Sequence, residues 1–106
     1  MDVTMDQAQI WWLERPDSKR RPCLILTRSR TIPVLRDVMV APISTRIHGL
    51  DTEVELGAAD GVPRPSVANM QHVLTVPKSM LTRRVGVLAP GRWHEVCSAM
   101  SVAIGC

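Results

Sequence analysis

Short apolar runs closed off by proline, glycine or aspartate fill the first ninety residues of this 106-residue chain, and such punctuation confines it to short strands joined by turns. Gln9-Ile10-Trp11-Trp12-Leu13 is rich in the branched and aromatic side chains that suit a pleated surface, and Arg15-Pro16-Asp17-Ser18 turns the chain after it. Pro22 to Thr27 reads as a second strand, since a residue without an N–H fits a strand's first position. Val38 to Ile43, with Pro42 near its end, reads as a third, and the basic segment Arg28 to Asp37 joins the two as a loop. Thr52 to Leu56 alternates polar and apolar residues as a half-exposed strand does, Asp60-Gly61 signals a turn, and Ser66-Val67-Ala68 opens a further strand. Pro77 to Leu81 reads as a short helix with proline near its first position, and Arg83 to Leu88 returns as a strand. From Pro90 onward the pattern changes. Trp93, Val96, Cys97, Met100 and Ile104 recur at spacings of three and four, the stripe of an amphipathic helix that Gly105 ends. Five or more strands and a terminal helix predict one domain over residues 1–106, mainly β with α, built as a small barrel-like sheet.

Composition narrows the class. Apolar residues make up 45% and charged residues 22%, the balance of an ordinary globule, and no stretch approaches the roughly 18 apolar residues of a membrane span. Asp2 and Asp6 stand where a secretory signal would carry positive charge, so the expectation is a cytoplasmic protein with no membrane association. Cys23, Cys97 and Cys106 form an odd set without a CxxC pair and read as free thiols. His48, His72 and His94 show no metal-binding spacing, so neither a metal nor another cofactor is expected.

The charge is unevenly spread. Residues 15–46 hold eight Arg or Lys against Asp17 and Asp37, a local balance of +6, so with a total of +3 the remainder sums to −3. Eleven of the thirteen basic residues are arginine, whose planar fork suits bidentate contact with phosphate. Arg21 at the mouth of the second strand and Ser44-Thr45-Arg46 at the end of the third would place a cation, two hydroxyls and a second cation around one phosphate. Arg20, Arg28, Arg30 and Arg46 flank that point and are candidates for contact with a polyanion backbone. Asn69 and Gln71 carry amides suited to reading base edges. His48 follows the hydroxyl pair closely and is a candidate base, His72 is placed in a strand as a lesser candidate for RNA contact, and His94 on the outer surface of the helix. Of the adjacent Trp11 and Trp12, one must face away from the other, and that ring is a candidate for a dimer or partner interface.

Several motifs in order resemble the MazF/PemK ribonuclease toxins of bacterial toxin–antitoxin systems. They are Arg21-Pro22 before an apolar strand, Val40-Ala41-Pro42-Ile43-Ser44-Thr45, Gly49-Leu50-Asp51-Thr52-Glu53-Val54, Pro63-Arg64-Pro65-Ser66-Val67-Ala68-Asn69, and Pro77-Lys78-Ser79 through Arg84-Val85-Gly86. Together they cover most of the chain. The resemblance implies an SH3-like β-barrel with a C-terminal helix, a homodimer, and metal-independent, sequence-specific cleavage of single-stranded RNA to 2′,3′-cyclic phosphate and 5′-hydroxyl ends, which inhibits translation and growth. It also implies a cognate MazE-like antitoxin that occludes the RNA groove, and contact with operator DNA only through the antitoxin complex.

Such cleavage uses the RNA's own 2′-hydroxyl as nucleophile, so the site must supply a proton acceptor, a proton donor and stabilisation of the charged phosphorane. The resemblance assigns the central role to Arg21 and a hydroxyl partner to Ser44, with Thr45 beside it. A guanidinium holds its proton to a pKa above about 12, so Arg21 suits the roles of stabiliser and donor and not that of neutral base. The proton is expected to leave through a non-bridging oxygen or water. Three departures from the family stand out: Asp6-Gln7-Ala8-Gln9 replaces the usual Arg-Gly-acidic lead, the next loop is short, and Gln71 stands where many members carry an acidic residue. An alternative reading of the same chain is a non-enzymatic module acting in antitoxin binding and operator autoregulation, and a third is a gyrase poison of the same fold.

Overall fold

The computed structural model describes residues 4–106, so Asp2 lies outside it. Seven strands form one bent antiparallel sheet: β1 (Gln9–Leu13), β2 (Arg21–Ile25), β3 (Asp37–Ser44), β4 (Glu53–Leu56), β5 (Ser66–Asn69), β6 (Leu74–Pro77) and β7 (Leu81–Val87). A single α-helix, α1 (Trp93–Ile104), follows them. The hydrogen-bonded order is β4-β5-β3-β2-β1-β7, with β6 also paired to β3. Along one edge β3 changes partner, from β6 at Asp37–Val40 to β5 at Ile43–Ser44. Pro42, which has no N–H to donate, sits at that hand-over.

Both faces of the central strands are buried, which is why their sequences read as continuous apolar runs. One core lies between the sheet and α1 and takes Ile10, Leu24, Ala41, Ile43, Val54 and Ala68 together with Val96 and Ala99 of the helix. The other, on the opposite face, takes Trp11, Leu13, Cys23, Ile25, Val38 and Val40 and is closed by Ile32, Val76 and Leu81. Period-two alternation therefore sends neighbouring residues to different cores. Burial pushes the Cys23 thiol up to about 12, so it packs as a neutral apolar group. All three cysteines are free.

The outermost strands, β4 and β7, share no ladder among the described residues, so the sheet stays open. Its ends are nevertheless pressed together at Gly86, whose bare Cα meets the backbone of Asp60 and Gly61. Gly61 itself holds the turn with a φ of 91°. Arg92 ties the same seam to the helix. Its Nη2 donates to the Glu55 carbonyl at 2.6 Å, its Nη1 reaches the buried Asp60 at 3.3 Å, and its Nε donates to Glu95 at 2.8 Å.

Most elements fall where the sequence places them. The stretch holding His72 differs: Met70–His72 is a 3-10 turn and the strand begins only at Leu74. The Pro77–Leu81 helix contracts to the 3-10 turn Lys78–Met80, and a further such turn, Ile32–Val34, sits inside the basic loop. The helix stripe is also rotated. Ala99 packs in the core while Cys97 and Ile104 face outward, because the small side chain lets the helix approach the sheet closely. Gly105 ends α1 in the left-handed conformation, as expected.

Ala8 adopts a φ of 74° immediately before β1. A left-handed residue with a Cβ costs roughly 1–2 kcal/mol, and glycine's extra freedom in the unfolded chain offsets about 0.4–1 kcal/mol of that. Ala8→Gly is expected to stabilise the protein by about 0.5–1 kcal/mol in urea unfolding. Gly86→Ala would drive a methyl into the Asp60 carbonyl and is expected to cost about 3 kcal/mol or more in the same assay.

Candidate active site

The second core runs out toward one end of β2 and β3, and the same face continues into solvent as a pocket. The β2–β3 ladder ends with Cys23 paired to Pro42, and Arg21 and Ser44, each two residues further along its strand, line one pocket beyond it. Ser44 pairs in turn with Val67 of β5, and Asn69 of β5 pairs with Glu53 of β4. Alternation turns all of these to one face. They enclose an open pocket of about 240 Å³ lined by Arg21, Pro42, Ser44, Arg46, His48, Glu53, Val67, Asn69 and His72. That volume is below the roughly 300–1,000 Å³ of clefts that enclose drug-sized ligands, and it suits a phosphodiester and its ribose better than a whole buried base.

Local hydrogen bonds set the polarity of the walls. Ser44 Oγ accepts the Arg46 N–H at 3.0 Å, so its own proton is free to be donated into the pocket. Asn69 Oδ1 accepts the Gln71 N–H at 2.9 Å, which leaves the Asn69 amide N–H groups to face a ligand. Glu53 organises the loop between β3 and β4. Its carboxylate accepts the backbone N–H groups of His48, at 3.2 Å to each oxygen, and of Leu50 at 3.0 Å, around Gly49 with its φ of 69°. Burial alone would raise the Glu53 carboxyl. The hydrogen bonds from Leu50, His48 and Gly49, with the nearby His48 ring, outweigh it and hold the group below the usual carboxylate range. Glu53 is therefore an ionised strut for the loop that carries Arg46 and His48.

The structure gathers Arg21, Ser44, Arg46, His48 and Asn69, and leaves the other five candidates outside the pocket. Thr45 follows Ser44 and so points through the other face of the sheet, into a groove with Trp12, Pro22, Pro63 and Arg64. Arg20 is on that side too, its guanidinium 4.2 Å from the centre of the Trp12 ring. This is the outward-facing tryptophan, half-buried, whereas Trp11 lies in the core. Arg28 borders a separate groove with Gln7, Thr31 and Met39, and Arg30 is exposed on the same loop. Gln71 is tied by its backbone to Asn69 while its exposed side chain does not line the pocket. Conversely, Glu53 was not among the candidates, and His72 was only a lesser candidate for RNA contact, read as a strand residue. The alternation of Thr52 to Leu56 put Glu53 on the face opposite Val54, but the loop it braces has no sequence signature.

Comparison with known proteins bears on this geometry. The sequence model of the family described as PemK-like, MazF-like toxin of type II toxin–antitoxin system matches residues 6–104. The chain belongs to this family. Among MazF proteins of Mycobacterium tuberculosis, it is 40% identical over 101 residues to one named probable endoribonuclease MazF5, covering 94% of this chain and 93% of that one. It is 46% identical over 85 residues to another named endoribonuclease MazF3, covering 80% and 82% of the two chains. The solved M. tuberculosis toxin MazF-mt6 superposes with a TM-score of 0.86 at 36% identity, over 92% of this chain and 96% of that one.

In this chain of the MazF-like family, Glu53 offers a direct check. Because its folded-state titration lies below that of an unfolded glutamate, near 4.3, the stabilisation it brings is present above that value and is lost as pH falls through the folded one. The Glu53 side-chain carboxyl resonance is expected to titrate with a midpoint below about 4.3. Amide exchange at His48 and Leu50 should quicken through the same step. A midpoint at or above the unfolded value would contradict the strut.

Proposed function

We propose that this MazF-like toxin is an endoribonuclease that cuts single-stranded RNA without a metal ion and leaves 2′,3′-cyclic phosphate and 5′-hydroxyl ends. The observation that carries the reading is the cross-strand meeting of Arg21 and Ser44 in one pocket, joined there by Arg46. A bare phosphodiester in that pocket meets a guanidinium fork, a hydroxyl proton and a second cation. In the reaction the RNA 2′-hydroxyl attacks the adjacent phosphorus. Arg21 clamps the phosphate and stabilises the extra negative charge of the phosphorane, Ser44 donates to a non-bridging oxygen, and the Asn69 amide holds the neighbouring nucleotide. Ser44, and not Thr45, fills the hydroxyl role because only it shares a face with Arg21. Relatives named as endoribonucleases support the activity.

The same reading makes the protein the toxin of a type II pair, acting in the cytoplasm as a homodimer and neutralised by a MazE-like antitoxin that covers the pocket. Solved toxins of this fold include one described as an endoribonuclease in complex with its cognate antitoxin from a mycobacterial species, with a TM-score of 0.84 at 21% identity. Operator DNA is reached only through that complex.

Purified protein incubated with a long single-stranded RNA in EDTA is expected to cut it and leave cyclic phosphate ends. Arg21→Ala and Ser44→Ala should each slow cleavage by about 10²–10³-fold, the loss typical of one preorganised donor to a charged transition state, while Thr45→Ala stays near the unaltered rate. RNA that remains intact at high protein concentration, with antitoxin binding preserved, would leave the non-enzymatic module as the function.

A further inference from the structure

We propose that His48 and His72 are the proton-transfer pair of this pocket, His72 taking the proton of the 2′-hydroxyl and His48 giving one to the departing 5′-oxygen. The inference rests on the nuclease reading above and adds to it the acid and the base, replacing the non-bridging oxygen or water that the sequence suggested.

The lining of the pocket leaves few other groups for the task. Read from the sequence, Arg21 suits the donor's role as well as the stabiliser's, but a guanidinium, with a pKa above about 12, is a poor source of a proton near neutral pH, and Arg46 is no better. Glu53 is held ionised and its oxygens are engaged by backbone N–H groups, and Asn69 does not titrate. The two imidazoles are the only lining groups of a type that both takes and gives a proton near neutral pH. They arrive from different elements, His48 from the β3–β4 loop and His72 from the 3-10 turn after β5, and both are exposed to an incoming ligand. Neither ring is hydrogen-bonded to protein among the described residues, whereas His94, outside the pocket, has Nδ1 tied to the Gly91 carbonyl at 3.0 Å. Two unengaged rings beside a guanidinium and a hydroxyl form a set able to carry both proton transfers. The roles follow from position. His48 adjoins Glu53, the one carboxylate of the lining, which can face the ring while it holds the proton it gives, and the lining offers no second carboxylate for His72.

The step balances without a co-reactant. As O2′ bonds to phosphorus its proton passes to His72. The P–O5′ bond then breaks with its electron pair on O5′, and O5′ takes the proton of His48. Cyclic phosphate and 5′-hydroxyl ends result, and the rings exchange protons with water to reset.

The test uses the full chain, with a short RNA spanning a cut first mapped on a long single-stranded RNA. His48→Gln and His72→Gln, checked for folding by circular dichroism and thermal melting, should each lower kcat by about 10²–10⁴-fold with little change in KM. The unaltered protein should give a bell-shaped pH profile. His72→Gln loses the rise on its acidic side, and His48→Gln loses the fall on its alkaline side. A substrate with sulfur in place of the bridging 5′-oxygen, whose leaving thiolate needs no proton, should restore His48→Gln to near the unaltered rate and leave His72→Gln slow. Rescue of His72→Gln instead overturns the assignment of roles. Full activity in the double variant, with Arg21→Ala still inactive, overturns the pair and leaves the nuclease standing. Failure of the unaltered protein to cut any RNA overturns the nuclease reading and the pair with it.

Discussion

Register between β2 and β3 is the constraint on which the rest of the molecule depends. Pairing Cys23 with Pro42 seats Ile25 and Val40 in one core and Leu24 and Ala41 in the other, and beyond the end of that ladder Arg21 and Ser44 reach the same pocket. A slip of one residue in either strand would exchange its two faces. Fully burying a single large aliphatic side chain is worth roughly 1.5–3 kcal/mol, so misplacing several would cost about as much as the 5–15 kcal/mol that holds a domain folded. The pocket needs no separate device to align its cation with its hydroxyl. Core packing does that.

Electrostatics works at two places with different aims. At the seam, Arg92 gathers the Glu55 carbonyl, the buried Asp60 and Glu95, and joins the end of the sheet to the start of the helix. The Arg92 hydrogen bond holds the Glu95 carboxyl below its usual range despite some burial. At the pocket, Glu53 spends its charge on backbone N–H groups, shaping a loop whose Arg46 is left to meet a ligand. One cluster closes the fold and the other keeps a surface open.

How much of this was legible from residues alone follows the range of the forces involved. Strand positions were clear because alternation and proline act locally, and β1 falls on the expected residues, Gln9–Leu13. Arg21 and Ser44 could be placed near one another because each stands at the end of a strand whose neighbour could be inferred, and both line the pocket. Thr45 was grouped with Ser44 because adjacency in sequence looks like adjacency in space, which a pleated strand reverses. His72 was read into a strand because the apolar run Val73 to Val76 gives no sign of where pairing begins; Asn69, whose side chain accepts the Gln71 N–H, starts a turn there instead. Glu53 was missed because bracing a loop depends on three-dimensional closure. The distant arginines, Arg28 and Arg30, lie on a loop whose path no local signal fixes.

The opposite placement of Ser44 and Thr45 has a consequence for how such a protein can change over time. The sheet acts as a partition. Substitutions at Thr45, Pro63 or Arg64 alter the groove beside Trp12 without disturbing the row that holds Arg21 and Ser44. The two faces can thus diverge separately, the groove being rewritten in a lineage while the row on the far side is inherited unaltered.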